Sequence, residues 1–151
     1  MSEDNPIRIF VTHTFSDHPD YTRVFEYLES AANFFYTNCS DPSQAPASTG
    51  DEAWKEALRK QIQAAEIVLL PAGMYAENQG PLKYQMDAAK AANIPIVALE
   101  PFGGVEEVDA LIATQVDGTV GWNERQIVDA VRKHARGVDP TRYETIEFEM
   151  P

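Results

Sequence analysis

The sequence predicts an α/β fold, a doubly wound and mostly parallel five-stranded sheet with helices on both faces. Short β-type runs alternate along the chain with segments whose apolar residues recur at helical spacing. The run Ile94–Leu99 is almost unbroken apolar, as expected of a strand covered on both sides. A Thr/Ser-rich loop follows the first run, and a helix leads into the fourth. On a parallel sheet these two form a rim of the kind that holds ligands at the carboxyl ends of strands.

The elements follow in order. Ile7–Val11 is the first strand. From Tyr21 to Ala32, the residues Tyr21, Val24, Phe25, Leu28, Ala31 and Ala32 fall on one helical face. The aromatic run Phe34–Tyr36 is the second strand. Asn38–Gly50 is rich in Ser, Pro, Ala and Gly without periodicity and reads as a long loop. A helix spans about Glu52 to Ala65, with Trp54, Ala57, Leu58, Ile62 and Ala65 inward. Ile67–Leu70 is the third strand, ended by Pro71 and Gly73. The third helix covers about Leu82 to Asn93, with Leu82, Met86, Ala89 and Asn93 on one stripe. Ile94–Leu99 is the fourth strand, Val105–Ala113 a short helix and Gly118–Val120 a short fifth strand. Asn123 caps the last helix with Gln126 in capping-box position, and Ile127, Val128 and Val131 face inward. This order is that of a flavodoxin-like sheet.

A chain of 151 residues suits one domain, here 1–137, followed by an acidic tail, 138–151. With 44% hydrophobic and 24% charged residues a packed core is expected. The formal net charge of -12 argues against DNA or an anionic membrane as partner. A small anionic ligand remains compatible, because backbone amides bind phosphate inside acidic proteins. Cys39 is the only cysteine, which excludes an intrachain disulfide and a cysteine zinc site. It has no basic sequence neighbour to activate it as a nucleophile. His13, His18 and His134 lack metal-ligand spacing, so no metal is expected. The start MSEDNP has no apolar core of a secretion signal, and no run approaches the roughly 20 residues of a membrane span. A cytoplasmic location is expected.

Fold alone does not assign function. A phospho-accepting receiver needs acids after the first strand and an aspartate after the third, where this chain has Thr12, His13 and Pro71. The loop THTFSD lacks the glycine of a flavin-phosphate loop, and neither GxGxxG nor a Walker motif occurs.

The segments FVTHTFSDHPDY, VFEYLESAANFFY, QIQAAEIVLLPAGMY, AANIPIVALEPFGG and VGWNERQIVDAV, in this order and spacing, resemble the TIR-like family related to Toll/interleukin-1 receptor domains. The resemblance runs from about Ile7 to Arg136. It implies a prokaryotic signalling protein of the antiphage-defence type, with NAD or a related nucleotide as ligand or substrate and no further cofactor. It also implies a homo-oligomer or another TIR-like or effector protein as partner. Catalytic members cleave the nicotinamide–ribose bond, some hydrolysing NAD and others cyclising the product, with a carboxylate stabilising an oxocarbenium-like cation.

Ten residues before Pro95, where the family places that glutamate, this chain has Gln85, with Ala89 four residues on and Pro81 in place of a tryptophan four residues before. Glutamine can hydrogen-bond a ribose hydroxyl but supplies no counter-charge. Glu77, in the loop before the third helix, is the candidate substitute carboxylate, and Asp87 is a second acid on another helix face. Thr12, His13, Thr14 and Phe15 are the candidate adenine or phosphate contacts, weighed against plain loop packing. Asp17 is read as a cap for the first helix or a ligand contact. Tyr75 and Tyr84 flank the expected pocket entrance. Trp54 and Trp122 are read as packing residues. Gln85 speaks for a non-catalytic interaction module, the loop for nucleotide binding. The stretch IVLLPAGMYAENQGPLKYQMDAA also resembles nucleoside 2-deoxyribosyltransferases, whose glutamate is equally missing.

Overall fold

Successive side chains of a strand point to opposite faces, and here that alternation sorts the core into two layers. The computed structural model describes residues 4–15, 18–43, 51–75, 78–103 and 108–137. The strands are β1 (Ile7–Val11), β2 (Tyr36–Asn38), β3 (Ile67–Pro71), β4 (Ile96–Leu99) and β5 (Gly118–Val120). The helices are α1 (Pro19–Glu29), α2 (Asp51–Gln63), α3 (Gln79–Ala91), α4 (Ala110–Gln115) and α5 (Glu124–Arg136), with a 3-10 turn at Ala72–Met74. Phe10, Val68, Leu70, Ile96 and Ala98 pack with Leu58 and Ile62 of α2, Leu82, Met86 and Ala89 of α3 and Ile112 of α4. Ile7, Ile9, Val11, Ile67, Leu69, Val97 and Leu99 pack with Val24 and Leu28 of α1 and Ile127, Val128 and Val131 of α5. Fully burying one such aliphatic side chain contributes about 1.5–3 kcal/mol, so these layers supply the main drive for folding. The sheet order is β2-β1-β3-β4-β5, and every pairing is parallel. The predicted doubly wound, flavodoxin-like sheet is therefore the observed one.

Several boundaries differ from the predicted ones for physical reasons. The second strand is displaced from Phe34–Tyr36 to Tyr36–Asn38, with Ile7 opposite Tyr36. Phe34 instead plugs the α1/α5 layer, and the Phe35 carbonyl accepts the Ile7 amide at 3.0 Å. The third helix ends at Ala91, and Asn93, read as its last inward residue, is exposed in the left-handed region at φ 58°. The Ile94 amide bonds the Ala89 carbonyl at 2.9 Å and the Asn93 amide bonds that of Lys90 at 3.0 Å. This is a Schellman ending with asparagine in the place glycine usually takes. It spends the amide of Ile94 on the helix, so β4 starts only at Ile96.

The first helix starts at Pro19, a residue suited to an initial helical position, and is capped by His18, whose Nδ1 accepts the Asp20 amide at 3.1 Å. The short fourth helix begins at Ala110, with Asp109 as its cap, and Val105, its expected start, lies outside the described residues. Asn123 caps α5 by accepting the Gln126 amide at 3.1 Å, as predicted. The reciprocal half of the box is redirected, since Gln126 Oε1 accepts the Gly121 amide at 3.0 Å. Gly137, in the left-handed region at φ 68°, ends α5. The tail 138–151 lies outside the described residues, and no described helix is long and apolar enough to cross a membrane.

One polar cluster ties the two ends of the fold together at the amino edge of the sheet. Glu66, just before β3, accepts Arg136 Nε on Oε1 at 2.5 Å and Arg136 Nη2 on Oε2 at 2.9 Å. Its Oε2 also accepts the backbone amide of Arg8 at 2.9 Å. The Arg136 guanidinium holds the Glu66 carboxyl below its ordinary range, against the opposing effect of burial.

Candidate functional site

In the order β2-β1-β3-β4-β5 the chain reverses its direction of winding between β1 and β3, and ligands of such sheets bind outside the carboxyl ends at that point. The loops after β1 and β3 and the start of α1 border this crevice, with the loops after β4 and β5 beside them.

The loop after β1 is held by a glutamine clamp. Gln85, on the second turn of α3, is 0% exposed. Its Oε1 accepts the backbone amide of His13 at 3.1 Å, and its Nε2 donates to the His13 carbonyl at 2.8 Å and to the Pro81 carbonyl at 3.1 Å. The amide side chain thus closes on both backbone groups of one residue across the switch point. A carboxylate could accept from the amide but would face two carbonyl oxygens with no hydrogen to give.

His13 is equally committed. Its Nδ1 accepts the Phe15 amide at 3.1 Å, and its Nε2 lies 2.8 Å from Gln61 Oε1, so the proton sits on Nε2 and the ring is neutral. Gln61, from α2, repeats the clamp on another loop, accepting the Asp41 amide at 2.9 Å and donating to the Asp41 carbonyl at 3.3 Å. The bond to His13 helps hold Phe15 in the left-handed region at φ 59°, a costly conformation for an aromatic residue and one found often at functional sites.

Burial pushes the His13 pKa below the usual 6.5, outweighing the hydrogen bond to Gln61 and the charge of Asp41. The unfolded chain therefore takes up the proton first as pH falls. The stabilisation is complete above about pH 6.5 and is lost below it, with a slope of up to about 1.4 kcal/mol per pH unit. Urea unfolding between pH 7.5 and 5 should show this fall, and His13→Gln should flatten it. An unchanged slope in the variant would show that His13 is not its source.

A second cluster borders the crevice and was not legible as part of the site. Asp20, in the first turn of α1, is buried, and its Oδ1 accepts Arg23 Nη1 at 2.5 Å. A Cβ added at Gly73, after β3, would lie 2.9 Å from Asp20 Oδ2, so the carboxylate approaches as it does because that residue is glycine. The Arg23 guanidinium carbon lies 3.7 Å from the ring centre of Phe102, in the loop after β4, and 5.8 Å from that of Trp122, in the loop after β5. Trp122 donates to the Glu100 carbonyl at 2.7 Å, and its ring centre is 5.5 Å from those of Phe102 and Tyr27. In sequence, Asp20 and Arg23 look like an ordinary surface pair at helical spacing. The one available signal was Gly73 on an otherwise apolar strand end.

The predicted site residues separate into groups. Thr12, His13, Thr14 and Phe15 lie together on the loop braced by Gln85, and the Thr12 hydroxyl is fully buried without a hydrogen-bond partner among the described residues. Asp17 and Glu77 lie outside the described residues, and the side chain seen capping α1 is that of His18. Tyr75 is 6% exposed and packs into the α2/α3 layer instead of standing at an entrance. Tyr84 turns toward α2, donating to the Lys55 carbonyl at 3.0 Å with its ring 5.5 Å from that of Trp54. Asp87 pairs with Lys83 at 3.2 Å on the exposed side of α3. Burial raises the Cys39 thiol pKa, which disfavours the thiolate.

Among the described residues no group of histidine, cysteine and acids could hold a metal ion. An open concavity of about 450 Å³ lies at the opposite, amino edge, lined by Lys90, Asn93, Gln115, Asp117 and His134 among others. Lys90 falls in the last turn of α3, where a cation offsets the helix dipole. Compared with protein families and with curated proteins, the chain matches no family model and no curated sequence.

Proposed function

We propose that this chain is a TIR-like signalling protein of the prokaryotic antiphage-defence type. It binds NAD or a related nucleotide, as ligand more than as substrate, at the carboxyl edge of the sheet between β1 and β3. The observation that carries this reading is the loop Thr12–Phe15: it stands at the switch point, braced by two glutamines, with a left-handed Phe15 and a buried Thr12 hydroxyl that no group among the described residues satisfies. Such an arrangement maintains a shaped rim at some energetic cost. The bound nucleotide is the only small molecule required, and the partner that receives the signal is a second copy or another TIR-like or effector protein in the cytoplasm.

The Gln85 clamp favours a binding and interaction module over an enzyme. Its amide is spent on the backbone of His13 and Pro81, leaving no free group at the position where the resembled family keeps its carboxylate. The same clamp counts against deoxyribosyltransfer. Calorimetry with NAD and ADP-ribose, beside an assay of nicotinamide release at high protein concentration, tests the reading. Saturable binding with negligible release is expected. Absence of binding would sink it, and release that disappears in Glu77→Ala would replace it with an enzyme using a displaced carboxylate.

A further inference from the structure

We propose that Arg23 recognises phosphate, so that the crevice takes a nucleotide carrying a phosphate or diphosphate group in preference to a bare nucleoside. This rests on the nucleotide-binding reading above and deepens it.

Arg23 is an arginine fixed in place before any ligand arrives. Asp20 holds Nη1 at 2.5 Å, and the guanidinium carbon stands 3.7 Å from the ring centre of Phe102. These partners come from α1 and from the loop after β4, while Asp20 is itself pressed against Gly73 of the loop after β3. Three segments bordering the crevice therefore set the orientation of one side chain. Among the described residues Arg23 has no hydrogen-bonding partner besides Asp20, so Nε and Nη2 keep their donors, and the side chain is still 26% exposed.

A planar fork of donors matches two oxygens of one phosphate, and an arginine already immobilised loses little further freedom on binding. Asp20 removes one of the five N–H donors and part of the charge. Recognition then depends on directed hydrogen bonds more than on net attraction, as it must in a chain of net charge -12. Lysine, with a point charge and no fork, would be a poor replacement.

Calorimetry with ADP-ribose and with adenosine on the native chain, Arg23→Gln and Arg23→Lys tests this. ADP-ribose affinity should fall about tenfold or more in Arg23→Gln and by a similar amount in Arg23→Lys, with adenosine affinity within about twofold of native. Near-UV circular dichroism of both variants establishes that the fold is retained, and Arg23→Lys serves alone if the glutamine variant fails that check. Unchanged ADP-ribose affinity in the folded variants, or an equal loss for adenosine, would overturn the assignment while leaving nucleotide binding intact. A native chain that binds neither compound would overturn both.

Discussion

Gln85→Glu is expected to destabilise the protein by about 2–4 kcal/mol at neutral pH and to leave it without NAD cleavage, although the change restores the residue that the resembled family uses for catalysis. The estimate follows from the clamp. The variant keeps one acceptor for the His13 amide but loses both donated bonds, so the buried His13 carbonyl and the partly buried Pro81 carbonyl are left facing an oxygen. Each unsatisfied buried group costs about 1–3 kcal/mol, and a charge there costs more unless it is neutralised by a proton. Burial and the facing carbonyls raise the native pKa of the introduced carboxyl above its unfolded value, so the penalty grows as pH rises through that native value and shrinks in acid. Urea unfolding at pH 7 and pH 5, together with the nicotinamide-release assay, measures both parts. A variant as stable as the native chain that cleaves NAD would show that position 85 is a catalytic position awaiting its acid.

Glu66→Ala is expected to cost about 2–3 kcal/mol, since it removes a two-oxygen pairing with Arg136 and the acceptor for the Arg8 amide. The pair is largely sheltered from solvent, with 15% and 19% of the two side chains exposed, so screening discounts it less than a surface ion pair. The native pKa of Glu66 is depressed, chiefly by the hydrogen bond from Arg136. Its contribution is therefore complete above the unfolded value of about 4.3 and is lost as pH falls through the native one. Denaturant unfolding of native and variant chains should give curves that converge in strong acid. A difference that persists there would assign the loss to packing and not to the ion pair.

Much of the fold was legible because it depends on local pattern. The runs at residues 7–11 and 67–70 alternate between two helix layers, and Val24, Leu28, Leu58, Ile62, Met86 and Ala89 lie inward as their spacing required. The edge strand lies beyond its apolar run because its pairing is dictated by β1 and not by its own apolar residues; Phe34 of that run plugs a helix layer instead. The candidate site could be read only as an expected location. Gln85 could be placed in the sequence, but its partner lies 72 positions away, and no local rule states that an amide there grips a backbone. Asp20 and Arg23 become part of the crevice only because Gly73, Phe102 and Trp122 arrive from three other loops.

The most direct test is an amide and indole NMR titration of the uniformly ¹⁵N-labelled chain with NAD. The account predicts saturable shifts in Thr12–Phe15, Arg23, Gly73, Phe102 and the Trp122 indole, with the Gln85 side-chain amide slow to exchange throughout because it remains bonded to His13. Shifts confined to Asn93, Asp117 and His134 at the amino edge, or none at all, would contradict it.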